Sequence, residues 1–399
     1  MKRTWLLGFG FFSISITWAL YNGFVPFFLD NYLSSTALIG FMMTIDNYFA
    51  LFLQPWIGSR SDKTDTRFGR RMPYLLFGMP LAAVFVILIP LHTSFVTLVL
   101  FMVLMNLAMS IYRSPTIALM PDLTPEAQRT KANGIINFMG GIAGILAYGV
   151  GSILYDADKS YPFIAAACIT VICMAILYRT VNERRDSVVP IAEEKVKIRW
   201  RGELDRTTVM LLGAIFFWFV SYQGVEALFT LYGEHHLGLS ESAAAFSLTF
   251  FSLFFVLFAI PSGWLGNRYG KKRTIMVGVC GLFLVFAVVP LVESLLLLRI
   301  LLALGGIFWA CININSYPFI VSTGEERSIG TRTGIYYLAS SLAAISSPPL
   351  LGLVIDGFGY GSLFVCAAGG MLLALLFLSL VKHDGRTSGL PSSRNSKAV

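Results

Sequence analysis

The sequence predicts an all-α membrane protein of twelve transmembrane helices, arranged as two pseudo-symmetric six-helix bundles. Three observations predict it. Hydrophobic residues make up 56% of the 399 residues and charged ones 13%, an apolar excess that must face lipid rather than fill a soluble core. The apolar residues gather into twelve runs near 5–28, 37–58, 73–91, 95–117, 133–154, 161–180, 208–231, 243–262, 274–291, 297–319, 334–356 and 362–381, each close to the ~20 residues that cross a bilayer. Similar residues also recur about 200 positions apart, which points to an internal duplication.

Each run reads as a helix, because within lipid only helices and closed barrels satisfy their backbone and runs this long and apolar are helical. The first follows Met1-Lys2-Arg3 and is too long for a signal peptide, so an uncleaved first span is expected. The second and third flank a short charged turn. The fifth carries Gly140, Gly141, Gly144, Gly149 and Gly151, small residues that let another helix approach closely. The long polar stretch between spans lies after the sixth, so the chain divides into a first bundle (1–181), a linker (182–207) and a second bundle (208–381), with a Ser-, Arg- and Gly-rich tail (382–399) expected to be disordered.

Matches between the halves support the division. Tyr21-Asn22-Gly23 returns as Tyr222-Gln223-Gly224, Pro55 and Gly58 as Pro261 and Gly263, and Gly134 as Gly334. Parallel repeats of this kind place a binding site near the midplane between them.

The net charge of +8 reports topology, not a nucleic-acid partner. With twelve spans, all of the 30 Lys and Arg except Lys159, Arg113 and Arg299 fall on the side of the termini. The positive-inside rule then puts both termini in the cytoplasm of a plasma membrane or bacterial inner membrane. Cys168, Cys173, Cys280, Cys311 and Cys366 all lie inside apolar runs and read as packing residues, without disulfide or metal-ligand spacing. His92, His235, His236 and His383 sit at loops or ends. No nucleophile–base arrangement or phosphate loop is present, so neither an enzyme nor a cofactor or metal is expected.

The turn between the second and third spans is the most informative segment. Gln54-Pro55-Trp56 leads through Gly58, Asp62 and Arg67 to Gly69-Arg70-Arg71 and Pro73, and a second copy runs from Gly263 to Lys272. The pattern resembles the major facilitator superfamily, whose signature in this turn is met by Gly58, Asp62, Gly69, Arg70 and Arg71. Its longer form, together with Ala118–Pro125, Arg129 and Ala132-Asn133, is similar to the glycoside–pentoside–hexuronide:cation symporters and the sucrose–proton symporters. The resemblance implies a two-bundle transporter. Two departures weaken a sodium site and a strict sucrose assignment: Gln54 and Ala50 stand where sodium-coupled members carry carboxylates, and Asn106 and Ile117 where plant sucrose carriers have an Asp and an Arg.

For carriers that rock one half against the other, Gly58, Asp62, Arg67, Gly69, Arg70 and Arg71 read as a cytoplasmic gate of separable ion pairs; the alternative is that the cations only anchor topology. Inside the membrane an ionisable group costs roughly 2.5–3.5 kcal/mol and defaults to a functional reading. Asp46 lies nine residues into the second span, about 13 Å deep at 1.5 Å per residue. It leads the proton-coupling candidates, since a carboxyl in a low-dielectric site can exchange a proton near neutral pH; a structural carboxylate is the alternative. Glu226 and Arg113 follow, with an interfacial carboxylate and a snorkelling cation as their plainer readings.

Solute recognition calls for hydroxyl-matching groups beside flat apolar faces. Trp18, Tyr21 and Asn22 in the first span, Asn106 in the fourth, Asn137 in the fifth, Tyr222 and Gln223 in the seventh, and Trp309 and Asn313 in the tenth supply them. Tyr317 stands another turn along the tenth span, and Asn137, with Tyr336 and Tyr337 in the eleventh, is a weaker candidate. Together these features describe a transporter, functional as a monomer, that moves a glycoside or oligosaccharide with protons by alternating access. An efflux carrier for amphipathic compounds and a non-transporting sensor are the alternatives.

Overall fold

The structure, a computed structural model, describes residues 2–186, 205–323 and 329–381. Most of the expected linker (187–204) and the whole tail (382–399) lie outside the described residues. The described residues are helical, without strands, and twelve helical stretches are long and apolar enough to cross a membrane.

These are α1 (Lys2–Asp30), α2 (Thr36–Met43 and Ile45–Asp62), α3 (Met72–Leu88), α4 (Phe95–Leu123), α5 (Glu126–Ala157), α6 (Tyr161–Thr180), α7 (Arg206–His235), α8 (Glu241–Tyr269), α9 (Lys271–Val288), α10 (Leu295–Ser322), α11 (Ile329–Phe358) and α12 (Ser362–Ser379). The duplication shows in their register. A 3₁₀ turn at Ile89–Leu91 ends α3 and another at Val289–Leu291 ends α9. Ser94 caps α4 by accepting from the Thr97 N–H, as Ser294 caps α10 by accepting from the Leu297 N–H.

Two boundaries differ from expectation for local reasons. The second span is not continuous: it breaks at Thr44, whose hydroxyl donates to the Phe41 carbonyl at 2.7 Å, a back-bond that bends helices. Asp46 consequently sits in the first turn of the second segment, where the free N–H groups favour a negative charge. The fourth span runs through Pro115 and Pro121 to Leu123, so Asp122 is helical rather than in a loop.

Within the first half α1 packs on α5 and α6; within the second, α7 packs on α11 and α12. The halves meet where α1 faces α7, α2 faces α11 and α5 faces α8. The α2–α11 contact needs glycine: a Cβ at Gly352 would lie 2.6 Å from the Ala37 backbone, and one at Gly40 would overlap the Pro348 carbonyl.

Polar contacts between the halves gather at the end opposite the termini. Asp356 of α11 accepts from the Thr36 N–H (2.6 Å), the Ala37 N–H (3.1 Å) and the Ser35 hydroxyl (2.6 Å) at the start of α2. His235 meets Asp30 at 2.7 Å. Glu241 of α8 takes the Tyr155 hydroxyl and, at 2.7 Å, the Lys159 ammonium. The α1, α5, α7 and α11 C-termini and the α2 and α8 N-termini are thus tied together, closing that end.

Candidate functional site: a cavity between the halves

A cavity of about 550 Å³ lies where α1, α4 and α5 face α7, α8 and α10, within the roughly 300–1,000 Å³ of small-molecule sites. Its polar wall comes from residues one helical turn apart, which therefore share a face. Trp18 and Asn22 project from α1, Tyr222, Gln223 and Glu226 from α7, and Trp309 and Asn313 from α10. Asn137 of α5 and Arg113 of α4 also line it.

The aromatic groups are ordered by each other. Tyr222 and Trp309 stack with centroids 3.8 Å apart and planes 7° from parallel. Trp18 meets Tyr21 edge-on at 5.6 Å, and the Arg113 guanidinium lies 5.6 Å from the Trp18 ring centre, a cation–π distance. The buried Trp18 indole N–H has no protein partner among the described residues, leaving an unmet donor on the wall. Phe219, Phe251 and Phe255 supply an apolar side.

Tyr21, Asn106 and Asp46 stand behind this wall rather than on it. Tyr21 and Asn106 are buried, and the Asn106 amide donates to the Tyr21 hydroxyl at 3.3 Å. Asp46 lies within electrostatic reach of Arg113, Tyr21 and, across the halves, Glu226. Glu226 in turn faces Tyr222 and Asn22, with Tyr148 of α5 nearby. Two carboxylates and one guanidinium, drawn from α2, α4 and α7, therefore share one charge cluster. Tyr148, Ser15 and Ser252 also line the cavity; the sequence reading missed them because an isolated hydroxyl in an apolar run has no distinguishing pattern.

Asn137, a weaker candidate, thus lines the cavity, whereas Tyr317, Tyr336, Tyr337 and Arg299 fall elsewhere. Tyr317, Tyr336 and Tyr337 form a ring cluster at centroid distances of 5.4–6.2 Å, with Tyr336 bonded to Ser316 at 2.9 Å. Arg299 reaches the Ser247 hydroxyl at 3.4 Å over the rings of Phe246 and Phe250.

In this conformation the charged turn after α2, expected as a cytoplasmic gate of separable ion pairs, makes its contacts within the first half among the described residues. Arg71 is buried and pairs with Asp62, with Asp122 at 3.1 Å and with the Ser61 hydroxyl, and donates to the Gly58 carbonyl at 3.3 Å. Arg70 meets Asp122 at 2.7 Å. Glu183, just past α6, accepts from the backbone N–H groups of Arg71 (2.9 Å) and Met72 (3.0 Å). Arg67 lies over the Phe68 ring at 4.6 Å. Gly69 has φ +107° and a Cβ there would overlap Glu183, so both backbone and space require glycine. The reason is reach: the turn is short and lies over the ends of α4 and α6, whose carboxylates are the nearest counter-charges. Asp122 and Glu183 were the members that spacing did not reveal.

The chain belongs to the Major Facilitator Superfamily, whose family model matches residues 7–248 and 234–398. It is a membrane transporter rather than an enzyme. Among curated proteins it is 22% identical to the class H tetracycline resistance protein of Pasteurella multocida, over 91% of this chain and 92% of that one. It is 24% identical to the sucrose transport protein SUC3 of Arabidopsis thaliana over 40% of this chain and 31% of that one. Among solved structures, a bacterial homologue of the human lysosomal transporter Spinster, in an inward-facing and occupied conformation, superposes with a TM-score of 0.77 at 15% identity, covering 98% of each chain.

Proposed function

We propose that this transporter carries a small polar solute, a glycoside or oligosaccharide, in step with protons. The observation that carries the reading is the charge cluster beside the polar wall. Asp46 and Glu226, drawn from opposite halves, lie within electrostatic reach of each other, and Arg113 lies within reach of Asp46. With both carboxyls ionised the cluster keeps one uncompensated negative charge in a low-dielectric setting, and uptake of one proton neutralises it. Because Glu226 also faces Asn22 and Tyr222, the proton and the solute would act on the same groups. That is the linkage a coupled carrier needs.

The wall suits a sugar: Asn22, Gln223 and Asn313 offer amide donors and acceptors, and the stacked Tyr222–Trp309 pair offers a flat face beside them. The partial likeness to a sucrose transport protein agrees with this. Placing the basic side in the cytoplasm makes the cavity's closed end the outer one, so the conformation is inward-facing. Asp62, Arg70 and Arg71 then act as a clamp that holds the first half rigid on the cytoplasmic side. The chain would work as a monomer in a plasma membrane or bacterial inner membrane. Efflux of an amphipathic compound is a second reading, favoured by the phenylalanine wall and by the likeness to a tetracycline resistance protein along nearly the whole chain.

An uptake screen of labelled mono- and disaccharides into proteoliposomes under an imposed pH gradient separates the two readings. Sugar transport predicts accumulation driven by acid outside, with Asn22→Ala and Gln223→Ala each raising KM several-fold to about tenfold, the effect of losing a ~1 kcal/mol hydrogen bond. Transport of an amphipathic compound, unaffected by those substitutions, together with no saccharide uptake, would refute it.

A further inference from the structure

At the closed end of the cavity, three metal-ligating side chains converge from both halves. Asp30 ends α1, and Glu234 and His235 end α7. Their ligand atoms all lie within 4.8 Å of one another, and the His235 Nε2 already meets the Asp30 carboxylate at 2.7 Å. The sequence did not suggest this grouping, because Asp30 stands 205 residues before His235.

Two further features make the cluster more than a meeting of surface charges. The His235 ring is held against Tyr360, with centroids 4.8 Å apart and planes 18° from parallel, so its nitrogen is aimed rather than free to rotate. Glu234 also lies within electrostatic reach of Asp30 and Glu241, with Lys159 as the nearby ammonium. Lys159 is engaged with Glu241 at 2.7 Å. Closing this end therefore brings Asp30 and Glu234 together beside the imidazole, and a cation would relieve that repulsion.

We propose that Asp30, Glu234 and His235 form a binding site for a divalent transition-metal ion of the zinc type, assembled only when the two halves close at this end. One imidazole nitrogen and two carboxylate oxygens, completed by water, suit zinc better than magnesium or calcium, which favour all-oxygen shells. The ion takes the place of the direct His235–Asp30 contact. Zinc–ligand bonds of ~2.0–2.2 Å put tetrahedral donor atoms about 3.4 Å apart, so the 2.7 Å His235–Asp30 contact opens while wider separations within the 4.8 Å cluster close. Since Asp30 belongs to one half and the other two ligands to the other, the ion binds this conformation in preference to one with the end open. It must then stabilise closure by the same factor. The proposal stands independently of which solute is carried.

The test is isothermal titration of zinc chloride alone into the purified full-length protein in nanodiscs at neutral pH. One ion per chain is expected. Asp30→Asn and His235→Ala should each weaken binding at least tenfold, while His236→Ala, whose ring lies against Tyr232 instead, should leave it unchanged. Millimolar magnesium should not displace the ion. Wild-type affinity in Asp30→Asn, or in His235→Ala, overturns the inter-half site, and displacement by magnesium overturns the metal assignment. Zinc K-edge absorption of the wild-type protein gives a readout free of any folding defect in the variants. A shell with one imidazole and carboxylate oxygens supports the site; a sulfur-containing or imidazole-free shell refutes it.

Discussion

Replacing Asp356 with alanine removes the contact that fastens the start of α2 to the end of α11. Its carboxylate accepts two backbone N–H groups and the Ser35 hydroxyl, at 2.6–3.1 Å. Functionally this is a helix N-cap supplied by the other half. Loss of an N-cap costs ~0.5–2 kcal/mol, and the charge–dipole part of it is ~0.3–1 kcal/mol. Asp356 is exposed, which argues against a larger value. Ser35 remains as a cap within α2, accepting from the Leu38 N–H, so the helix itself survives and the cost falls on closure. About 1–2 kcal/mol corresponds to a 5- to 30-fold shift toward the conformation open at this end. The assay is the rate at which a cysteine at Ser252, on the cavity wall, reacts with a membrane-impermeant thiol reagent added from the closed side. The rate should rise 5- to 30-fold in Asp356→Ala and less in Asp356→Asn, which keeps an acceptor. An unchanged rate in Asp356→Ala would show that the contact does not hold the end closed.

Other substitutions test the clamp and the wall. Gly69→Ala should cost about 1–3 kcal/mol for its backbone conformation alone, plus the displacement of Glu183, and lower the thermal unfolding midpoint measurably. Asp122→Asn, which strips Arg71 and Arg70 of a buried partner, should destabilise by ~3–5 kcal/mol. Asp62→Asn, at a carboxylate whose side chain is 48% exposed, should cost no more than ~1 kcal/mol; equal effects in unfolding experiments would contradict the burial argument. Trp309→Ala removes one face of the 3.8 Å stack with Tyr222 and should weaken solute binding more than Tyr337→Ala, whose ring lies outside the cavity.

The twelve spans and their pairing into halves were legible because membrane crossing demands length and apolarity, both written in the linear sequence. The twin 3₁₀ turns at Ile89–Leu91 and Val289–Leu291 show how faithfully the duplication carries through. On the polar wall, the pairs Trp18/Asn22, Tyr222/Glu226 and Trp309/Asn313 could be read from helical spacing, since one turn places both on one side. Tyr21 neighbours Asn22 in sequence yet bonds Asn106 behind the wall: spacing finds the face, not the depth. The break at Thr44 was invisible, because a back-bond from a single threonine leaves no mark on hydropathy. Asp122, Glu183 and the Asp30–His235 contact depend on which helix ends meet in space, and local pattern carries no such information.

The central claim is that Asp46 and Glu226 exchange a proton in concert with solute at the cavity. It is tested most directly in proteoliposomes loaded with a pH-sensitive dye, by adding a transported solute from outside without an imposed gradient. Solute entry through the wild-type protein should acidify the lumen. Asp46→Asn should abolish that signal while still exchanging labelled for unlabelled solute. Undiminished acidification in the variant, or none in the wild type during net solute entry, would contradict the account.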